Sequence, residues 1–510
     1  MKIDVDVVQQ QLEAENRELN DSMQSSYEIG PDILNFTGNT QLLGEAYKNL
    51  KDHMLYVTQS LVHAICCVIE SKISGNTKYL SIVNQYLSGM GKLDIDQLMN
   101  SKKQIESQEN IIKSNPIVAN AALSYTIAVY LAANKIDEKI QKMEEFLAAS
   151  QGCYDDFSEK YSLVIQGIVA AKELAYDSST STCPNISNAN MQWAQTVNQL
   201  YDNKNREILH EKYGEYLKEN PGMEMSMMII AEYERFHEEN AKIYDNLLEP
   251  LEETDVINIK IITYNADQLY RDMMFKYVDD VKIELVDEGG SYYSPSENKI
   301  VLSELKFREK GYQTFFHESG HAIDANYSKD NNLTQDISAS FVGSNGTTLD
   351  QSTVNDVRNW TQTQATKYVE GQYLDLSDVE KQAMVNNVTE FVMSKGETTL
   401  TAEEEGILSD IQNEFYMRAW GRSGALVSDT ASGVTDFILL GSYSHLASED
   451  KKGTYWTYNN GKVRRLPSTE YFAEYYGYNM SNNVGLYKLS EMYPESKEVI
   501  DEMLSKIGNS

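Results

Sequence analysis

Two histidines and a glutamate stand at a spacing that suits the activation of a water molecule by a metal. The segment His317-Glu318-Ser319-Gly320-His321 places two imidazoles four residues apart, so on a helix both lie on one face, one turn apart. Their nitrogens would then reach one tetrahedral Zn²⁺ at about 2.0–2.1 Å. Glu318 would take the proton of the bound water, whose pKa the metal lowers from about 15.7 towards 7. The segment predicts hydrolysis by a zinc-bound hydroxide.

The residues on either side of this segment predict a helix with one buried face. Gly320 lies inside that helix, where glycine costs about 1 kcal/mol relative to alanine. Its presence predicts a close approach of the metal or of another backbone. The alternative is a surface helix that carries two histidines by chance. The apolar positions that define the buried face are Tyr312, Phe315, Phe316, Ala322 and Ile323.

A second segment offers the third protein ligand that a catalytic zinc needs. Glu470 and Glu474 stand four residues apart, among aromatic residues at 471, 472, 475 and 476. On a helix they share one face, in apolar surroundings that disfavour carboxylates without partners. One of the two would bind zinc, and the other would accept a hydrogen bond from the second ring N–H of a ligand histidine.

The length and charge of the chain exclude several classes of protein. A chain of 510 residues predicts two or three domains. It contains no run of 18 apolar residues, which predicts no membrane span, and residues 1–6 lack the features of a cleavable signal peptide. The net charge of −33 would keep the protein off nucleic acid and off anionic membrane surfaces. We expect a soluble protein that is made in the cytoplasm.

The cysteines indicate neither a disulfide framework nor a cysteine–zinc site. Cys66 and Cys67 are adjacent, and Cys153 and Cys183 also lie far from the histidine segment. Histidine and carboxylate ligands remain for the predicted metal.

Residues 33–217 carry the apolar periodicity of long helices. Breaks at residues 74–76, 88–91 and 178–189, the last with Pro184, predict an antiparallel set of helices. Most of the apolar stripes would form the core of a bundle; alternatively, they accept helices from a partner protein. The stripes repeat at spacings of four and three residues through Leu43, Tyr47, Leu50, Met54, Val57 and Leu61, and through Ile136, Ile140, Met143 and Leu147.

The second half of the chain predicts an α+β domain. We expect a helical linker over residues 218–255 and the second domain over residues 256–510. Runs rich in β-branched residues predict strands at 256–263, 281–286 and Lys299–Ser303. The last of these precedes the histidine segment. It would pair with an extended substrate as an edge strand, or it is a plain structural strand.

The N-terminal part resembles the N-terminal domain of the LXG polymorphic toxins, which are cargo of the type VII secretion system of Gram-positive bacteria. The resemblance lies in Leu42-Leu43-Gly44, in the Ala46-Tyr47 that follows, and in the long helical stretch. It implies an export and targeting domain over residues 1–217, secretion without a cleavable signal peptide, small helical WXG-like partners and a cognate immunity protein.

The C-terminal part resembles the catalytic domain of the anthrax lethal factor group and the peptidases fused to phage minor head proteins. The histidine segment, Asp324 and the segment from Glu470 to Glu474 carry this resemblance, which spans residues from about 290 to 510. It implies a zincin-like α+β fold with His317, His321 and Glu470 as zinc ligands and Glu318 as general base. It also implies that Glu474 supports a ligand, and we expect Asp324 to orient the motif helix.

The chain departs from the lethal factor pattern between the two motifs. Residues 322–469 form a much longer stretch, and Val463 replaces the tyrosine that lethal factor carries seven residues before its ligand glutamate. Phage-associated relatives carry Gly-His and Tyr-Trp in this stretch, and this chain offers Ser444-His445 and Tyr455-Trp456. The resemblance implies that Tyr455 or His445 donates to the oxyanion, an interaction worth about 2.7–4 kcal/mol.

These features together predict a secreted bacterial toxin or effector that cleaves a protein or peptide substrate with a zinc-activated water. Two other classes remain open. A catalytically inactive zincin-fold interaction module would be recognised by loss of zinc binding despite the intact motif. A phage-associated structural protein would carry the same domain, but Leu42-Leu43-Gly44 argues against it.

Overall fold

Helices dominate both halves of the chain. The computed structural model describes residues 2–38, 45–114, 123–174, 191–305, 307–308, 311–394, 398–415, 430–431, 434, 466–481 and 490–508. Over these residues the chain has a helix-rich α+β fold with two small sheets, which confirms the predicted class at this level. The chain divides into two compact units, Met1–Glu219 and Asn220–Ser510.

The first unit consists of long helices. Strand β1 (Lys2–Asp4) leads into α1 (Val5–Gly38), and α2 (Glu45–His53) continues through a π-helical turn (Met54–Thr58) into α3 (Gln59–Leu87). Strand β2 (Lys92–Asp94) pairs antiparallel with β1. The helices that follow are α4 (Ile95–Ser114), α5 (Leu123–Ser150), α6 (Asp155–Glu173) and α7 (Gln192–Glu219).

The predicted helix break at residues 88–91 is confirmed. α3 ends at Leu87, and Gly89 and Gly91 both adopt positive φ, which glycine accepts without steric strain. The predicted break at residues 178–189, with Pro184, lies outside the described residues.

The predicted break at residues 74–76 is wrong, because α3 runs through them. Gly75 has a packing role: a Cβ there would lie 2.7 Å from a ring carbon of Tyr154. Asn76 is buried and donates hydrogen bonds to Glu15 of α1 at 2.8 Å and to a second residue of that helix. Glycine and asparagine therefore join helices here instead of ending one.

Among the described residues of the first unit, two apolar clusters contribute to the core. One joins the π-helical turn, α3, α6 and α7, and the other joins α1, α3, β2 and α5. Val57 and Met143 from the predicted stripes are buried in them, whereas Tyr47 and Leu147 from the same stripes are exposed. Leu43 lies outside the described residues. The stripes thus supply part of the core and leave part of their length on the surface.

Among the described residues, one helical stretch is long and apolar enough to cross a membrane by length and composition. It runs over Tyr47–Leu87, and its most apolar window of 18 residues has a mean hydropathy of 1.3. Of that window, 44% is buried within the structure, and a core helix of a soluble protein can meet the same criteria of length and composition. The predicted absence of a membrane span remains a prediction.

The second unit combines helices with a three-stranded sheet. A 3₁₀ turn (Pro221–Met223) leads into α8 (Glu224–Phe236), α9 (Glu238–Leu248), α10 (Glu253–Asn265) and α11 (Gln268–Tyr277). The strands are β3 (Lys282–Val286), β4 (Tyr292–Ser294) and β5 (Lys299–Ser303). The helices after them are α12 (Gln313–Asp330), α13 (Ile337–Ser340), α14 (Leu349–Gln372), α15 (Asp378–Met393), α16 (Ala402–Phe415), α17 (Pro467–Ser481) and α18 (Pro494–Gly508).

The order of the sheet corrects the predicted role of the strand before the histidine segment. The strands at 281–286 and Lys299–Ser303 are confirmed as β3 and β5. β5 is the central strand, parallel to β3 and antiparallel to β4. An interior strand has both rows of backbone hydrogen-bonding groups in use, so the edge-strand prediction for β5 is wrong.

The strand predicted at residues 256–263 is also wrong, because these residues lie in α10. Ile257, Ile259 and Thr263 are buried there, and so is Lys260, which forms ion pairs with Glu234 and Asp245. Burial and pairing outweigh the small intrinsic preference of β-branched residues for strands. The sequence predicts a helical linker over residues 218–255. Residues 218 and 219 end α7 in the first unit, whereas residues 220–255 are mostly helical and belong to the second unit.

Candidate metal centre

The centre forms where α12 and α17 cross at close range. A Cβ on Gly320 of α12 would lie 2.8 Å from Cα of Ala473, and one on Gly477 of α17 would lie 3.1 Å from the backbone nitrogen of His317. Both distances are shorter than ordinary contacts, so glycine allows the two backbones to approach. Of the two reasons that the sequence left open for Gly320, the structure shows the approach of another backbone.

This crossing brings the three predicted ligands together. Nε2 of His317 and Nε2 of His321 each lie 3.4 Å from Oε2 of Glu470, and the three ligand atoms all lie within 4.8 Å of one another. Donors at about 2.0–2.1 Å from a tetrahedral metal stand about 3.3 Å apart, which these two distances match. The structure therefore places two imidazoles and a carboxylate in a group that could hold a metal ion.

The burial of these three side chains favours a bound cation. All three side chains are buried, Glu470 completely. Among the described residues, Nε2 of His321 has no hydrogen-bond partner. A divalent cation offsets the desolvation of a buried carboxylate and accepts the imidazole lone pairs. The residues present thus fit a bound metal.

Glu318 lies in the same helical turn as the two histidines and is buried as well. Its Oε2 finds no hydrogen-bond partner in the part of the chain that the structure describes. A buried carboxylate oxygen without a hydrogen-bond partner, on the residue next to a candidate ligand, can accept a proton from water.

Glu474 occupies the turn of α17 after Glu470 and is fully buried. It accepts a hydrogen bond from Oγ1 of Thr430 at 2.6 Å. That its carboxylate holds a ligand histidine stays a prediction. Thr430 was not found from the sequence, because it stands 44 positions before Glu474 and no periodicity connects the two.

Asp324 joins α12 to α13. It is buried and accepts hydrogen bonds from the backbone nitrogen of Ser338, at 3.1 Å, and from the Ser338 hydroxyl. Burial, together with the negative charge of Asp336, raises the pKa of Asp324 to about 8. A residue that orients the motif helix is expected to make such contacts. The orienting role of Asp324 stays a prediction.

The predicted oxyanion donors belong to a stretch of the chain that the structure does not describe. His445 and Tyr455 lie outside the described residues, as do Ser444, Trp456 and Val463, and their roles stay predictions. Leu42-Leu43-Gly44, the segment that suggested the export domain, also lies outside them.

Comparisons with family models, with curated proteins and with solved structures found no match for this chain. The residues and the geometry of the metal centre therefore carry the functional assignment.

Proposed function

We propose that this protein is a secreted bacterial toxin or effector whose second unit is a zincin-like zinc metallopeptidase. The observation that carries the proposal is the buried group of His317, His321 and Glu470, with Glu318 in the same helical turn. Two imidazoles and one carboxylate are a ligand set typical of catalytic zinc. Three protein ligands leave the fourth tetrahedral position for water or substrate.

The roles of the side chains follow from their chemistry. His317, His321 and Glu470 would hold the zinc, which when bound supplies Lewis acidity and makes water a nucleophile near neutral pH. Glu318 would take a proton from that water at its unsatisfied Oε2 and return it to the amine that leaves. The close crossing of the two helices holds the imidazoles and Glu470 near one another.

The sheet supports a peptide as substrate. β4, at Tyr292–Ser294, is antiparallel to β5 and lies at an edge of the sheet. Among the described strands, none pairs with its outer edge, and Tyr292 is 47% exposed. An extended peptide can add to such an edge through backbone hydrogen bonds. We therefore assign to β4 the substrate-pairing role that the sequence gave to β5.

The first unit supports the proposed export function. α6 carries an apolar stripe on its surface, in which the four side chains are between 39% and 52% exposed. The spacing of four, three and one residues places them on one face of the helix, as in helices that pack against a partner. Small helical WXG-like proteins fit such a face. The stripe consists of Tyr161, Ile165, Ile168 and Val169.

The substitution Glu318→Gln tests the proposal. The amide keeps the size of the side chain but cannot accept a proton from water, so zinc content and fold should persist. Cleavage of a peptide library should fall by the ~10²–10⁴-fold typical of losing a general base. Elemental analysis measures the zinc, and mass spectrometry of the peptides measures cleavage.

Glu370→Gln, at an exposed position of α14, is the matched control and should leave cleavage unchanged. Wild-type protein that binds no zinc would contradict the proposal outright. If the Glu318→Gln protein were as toxic as wild type, the toxicity would not come from peptidase chemistry, and the interaction module would be the better assignment.

A further inference from the structure

The residue before the motif helix has a backbone conformation that needs support. Tyr312 has φ of +63°, in the left-handed region that bulky residues rarely adopt, and it follows Gly311, which also has positive φ. The carbonyl oxygen of Tyr312 accepts a hydrogen bond from the backbone nitrogen of Phe316 at 3.3 Å. His317 is the next residue, so the way in which Tyr312 is held affects the direction of the first ligand.

A buried carboxylate from another helix holds Tyr312. Asp255 of α10 is 1% exposed and accepts a hydrogen bond from the Tyr312 hydroxyl at 2.9 Å. Arg308 donates to the same carboxylate from Nε at 2.9 and 3.0 Å and from Nη2 at 2.7 Å. Asn258, one turn along α10, donates to the Tyr312 hydroxyl at 3.2 Å. Asp255 thus fixes residues on both sides of the connection into α12.

The ligand segment of α12 is therefore held at both ends. At the start, Asp255 accepts a hydrogen bond from Tyr312. At the other end, Asp324, which stands three residues after His321, accepts a hydrogen bond from Ser338 of α13. A ligand atom about 6 Å from a helix axis moves about 1 Å when the helix rotates by about 10°. Metal–ligand distances vary by only about 0.2 Å, so small rotations of α12 matter to binding.

We propose that Asp255, acting through Tyr312, is a positioning residue that holds His317 and His321 in register for the metal. This inference rests on the proposed function, because it presumes that the group binds zinc. Asp255 does not belong to the ligand group itself, and its effect on the metal would be transmitted by the rotation and tilt of α12. Its loss should resemble the loss of residues that orient metal ligands, which typically lowers metal affinity by about 10–100-fold.

The test compares two variants with two matched controls in the full-length protein. Asp255→Asn removes the charge that pairs with Arg308. Tyr312→Phe removes only the hydroxyl that donates a hydrogen bond to Asp255. The controls make the same chemical changes elsewhere in the second unit. Glu404→Gln alters a buried carboxylate bonded to Asn387 at 2.8 Å, and Tyr244→Phe alters a buried hydroxyl bonded to Thr263 at 2.7 Å.

The zinc dissociation constant, from competition with a chromophoric chelator, and the absorption spectrum of the Co²⁺-substituted protein report the ligand geometry. Urea unfolding reports stability separately. We expect Asp255→Asn and Tyr312→Phe to raise the zinc dissociation constant by about tenfold or more and to change the Co²⁺ spectrum. The controls should lower stability by a similar amount without either effect.

If wild type binds zinc and Tyr312→Phe binds it equally tightly with an unchanged spectrum, Asp255 does not position the ligands. The same conclusion follows if the controls weaken zinc as much as the test variants do at equal loss of stability. If wild type itself binds no zinc, the proposed function fails instead. Tyr312→Phe keeps the test decisive even if Asp255→Asn does not fold, because it leaves all charges in place.

Discussion

Glu470 and Glu474 lie one turn apart on α17, and both are completely buried. Their surroundings differ. Glu470 faces the two histidines with its Oε2 3.4 Å from each Nε2, whereas Glu474 accepts a hydrogen bond from Thr430 at 2.6 Å. The sequence could name the pair but could not choose between them from spacing alone. The structure favours Glu470 as the ligand.

This difference predicts unequal effects of two identical substitutions. Glu470→Gln removes an anionic ligand and should weaken zinc binding by more than about 100-fold. Glu474→Gln changes only a residue predicted to support a ligand histidine, so it should weaken zinc binding by about 10–100-fold. Chelator competition on both variants measures the ratio. Equal losses, or a larger loss for Glu474→Gln, would reverse the assignment of the ligand.

Asp324 predicts how stability depends on pH. Burial raises its pKa from the model-peptide value of 3.8 to about 8, so between these values the folded protein holds a proton that the unfolded chain has released. This carboxyl therefore makes stability fall as pH rises from about 4 to about 8, by up to about 1.4 kcal/mol per unit. Asp324→Asn should remove that contribution.

Urea unfolding at several pH values between 5 and 8, with a chelator present throughout, measures the difference between wild type and Asp324→Asn. The variant should gain stability relative to wild type as pH rises through this range. Parallel curves would mean that Asp324 ionises normally in the folded state. Asp336→Asn removes the neighbouring negative charge, so it should lower the pKa of Asp324 and end the fall in stability at a lower pH.

At the scale of elements, the site depends on two helices whose separation is set by glycine. Gly320 faces Ala473 and Gly477 faces the backbone of His317, so the α12–α17 pair tolerates little added volume. Gly320→Ala places a methyl group 2.8 Å from a backbone Cα, which requires one helix to move, whereas Gly477→Ala creates a milder contact at 3.1 Å. We expect losses of stability of about 1–3 kcal/mol, larger for Gly320→Ala, together with weaker zinc binding.

Gly406→Ala is the control for helix propensity. Gly406 lies in α16, and an added Cβ there would meet no heavy atom within 4 Å. This substitution should stabilise the protein by up to about 1 kcal/mol and leave zinc affinity unchanged. Thermal unfolding and zinc titration of the three variants give the ranking. A Gly320→Ala protein as stable as the Gly406→Ala protein would mean that the two helices can separate freely.

Local patterns predicted the elements of this site better than their arrangement. The spacing within 317–321 and the pair Glu470 and Glu474 predicted two helices and the ligand group, because ligands one turn apart leave a local signal. Strand order is not local, so the sequence leaves open whether β5 is a substrate-pairing edge strand or a plain structural strand, and the structure makes it the central strand. The β-branched run at 256–263 folds as a helix through burial. As a helix it puts Asp255 and Asn258 on one face, where both reach Tyr312.

At the scale of the whole molecule, a strongly acidic chain carries an exposed apolar stripe. The 77 acidic residues exceed the 44 basic ones by 33, which favours solubility and repels polyanions. Apolar side chains nevertheless remain exposed along α6 in the first unit. A stripe of this kind on an otherwise highly charged protein is typical of an interaction surface, which favours the proposed helical partners.

The first unit, residues 1–219, should therefore fold without the second and bind small helical proteins through α6. Circular dichroism of this fragment should show helix, and co-purification with any small helical proteins encoded beside it should show binding. Ile165→Glu with Val169→Glu should abolish co-purification while helix content stays constant, because charges on the stripe disfavour its burial. Val7→Glu with Met99→Glu, at exposed apolar positions of α1 and α4, is the control and should leave co-purification unchanged. A fragment that is helical and monomeric yet binds none of these proteins would contradict the export function and leave the peptidase proposal standing.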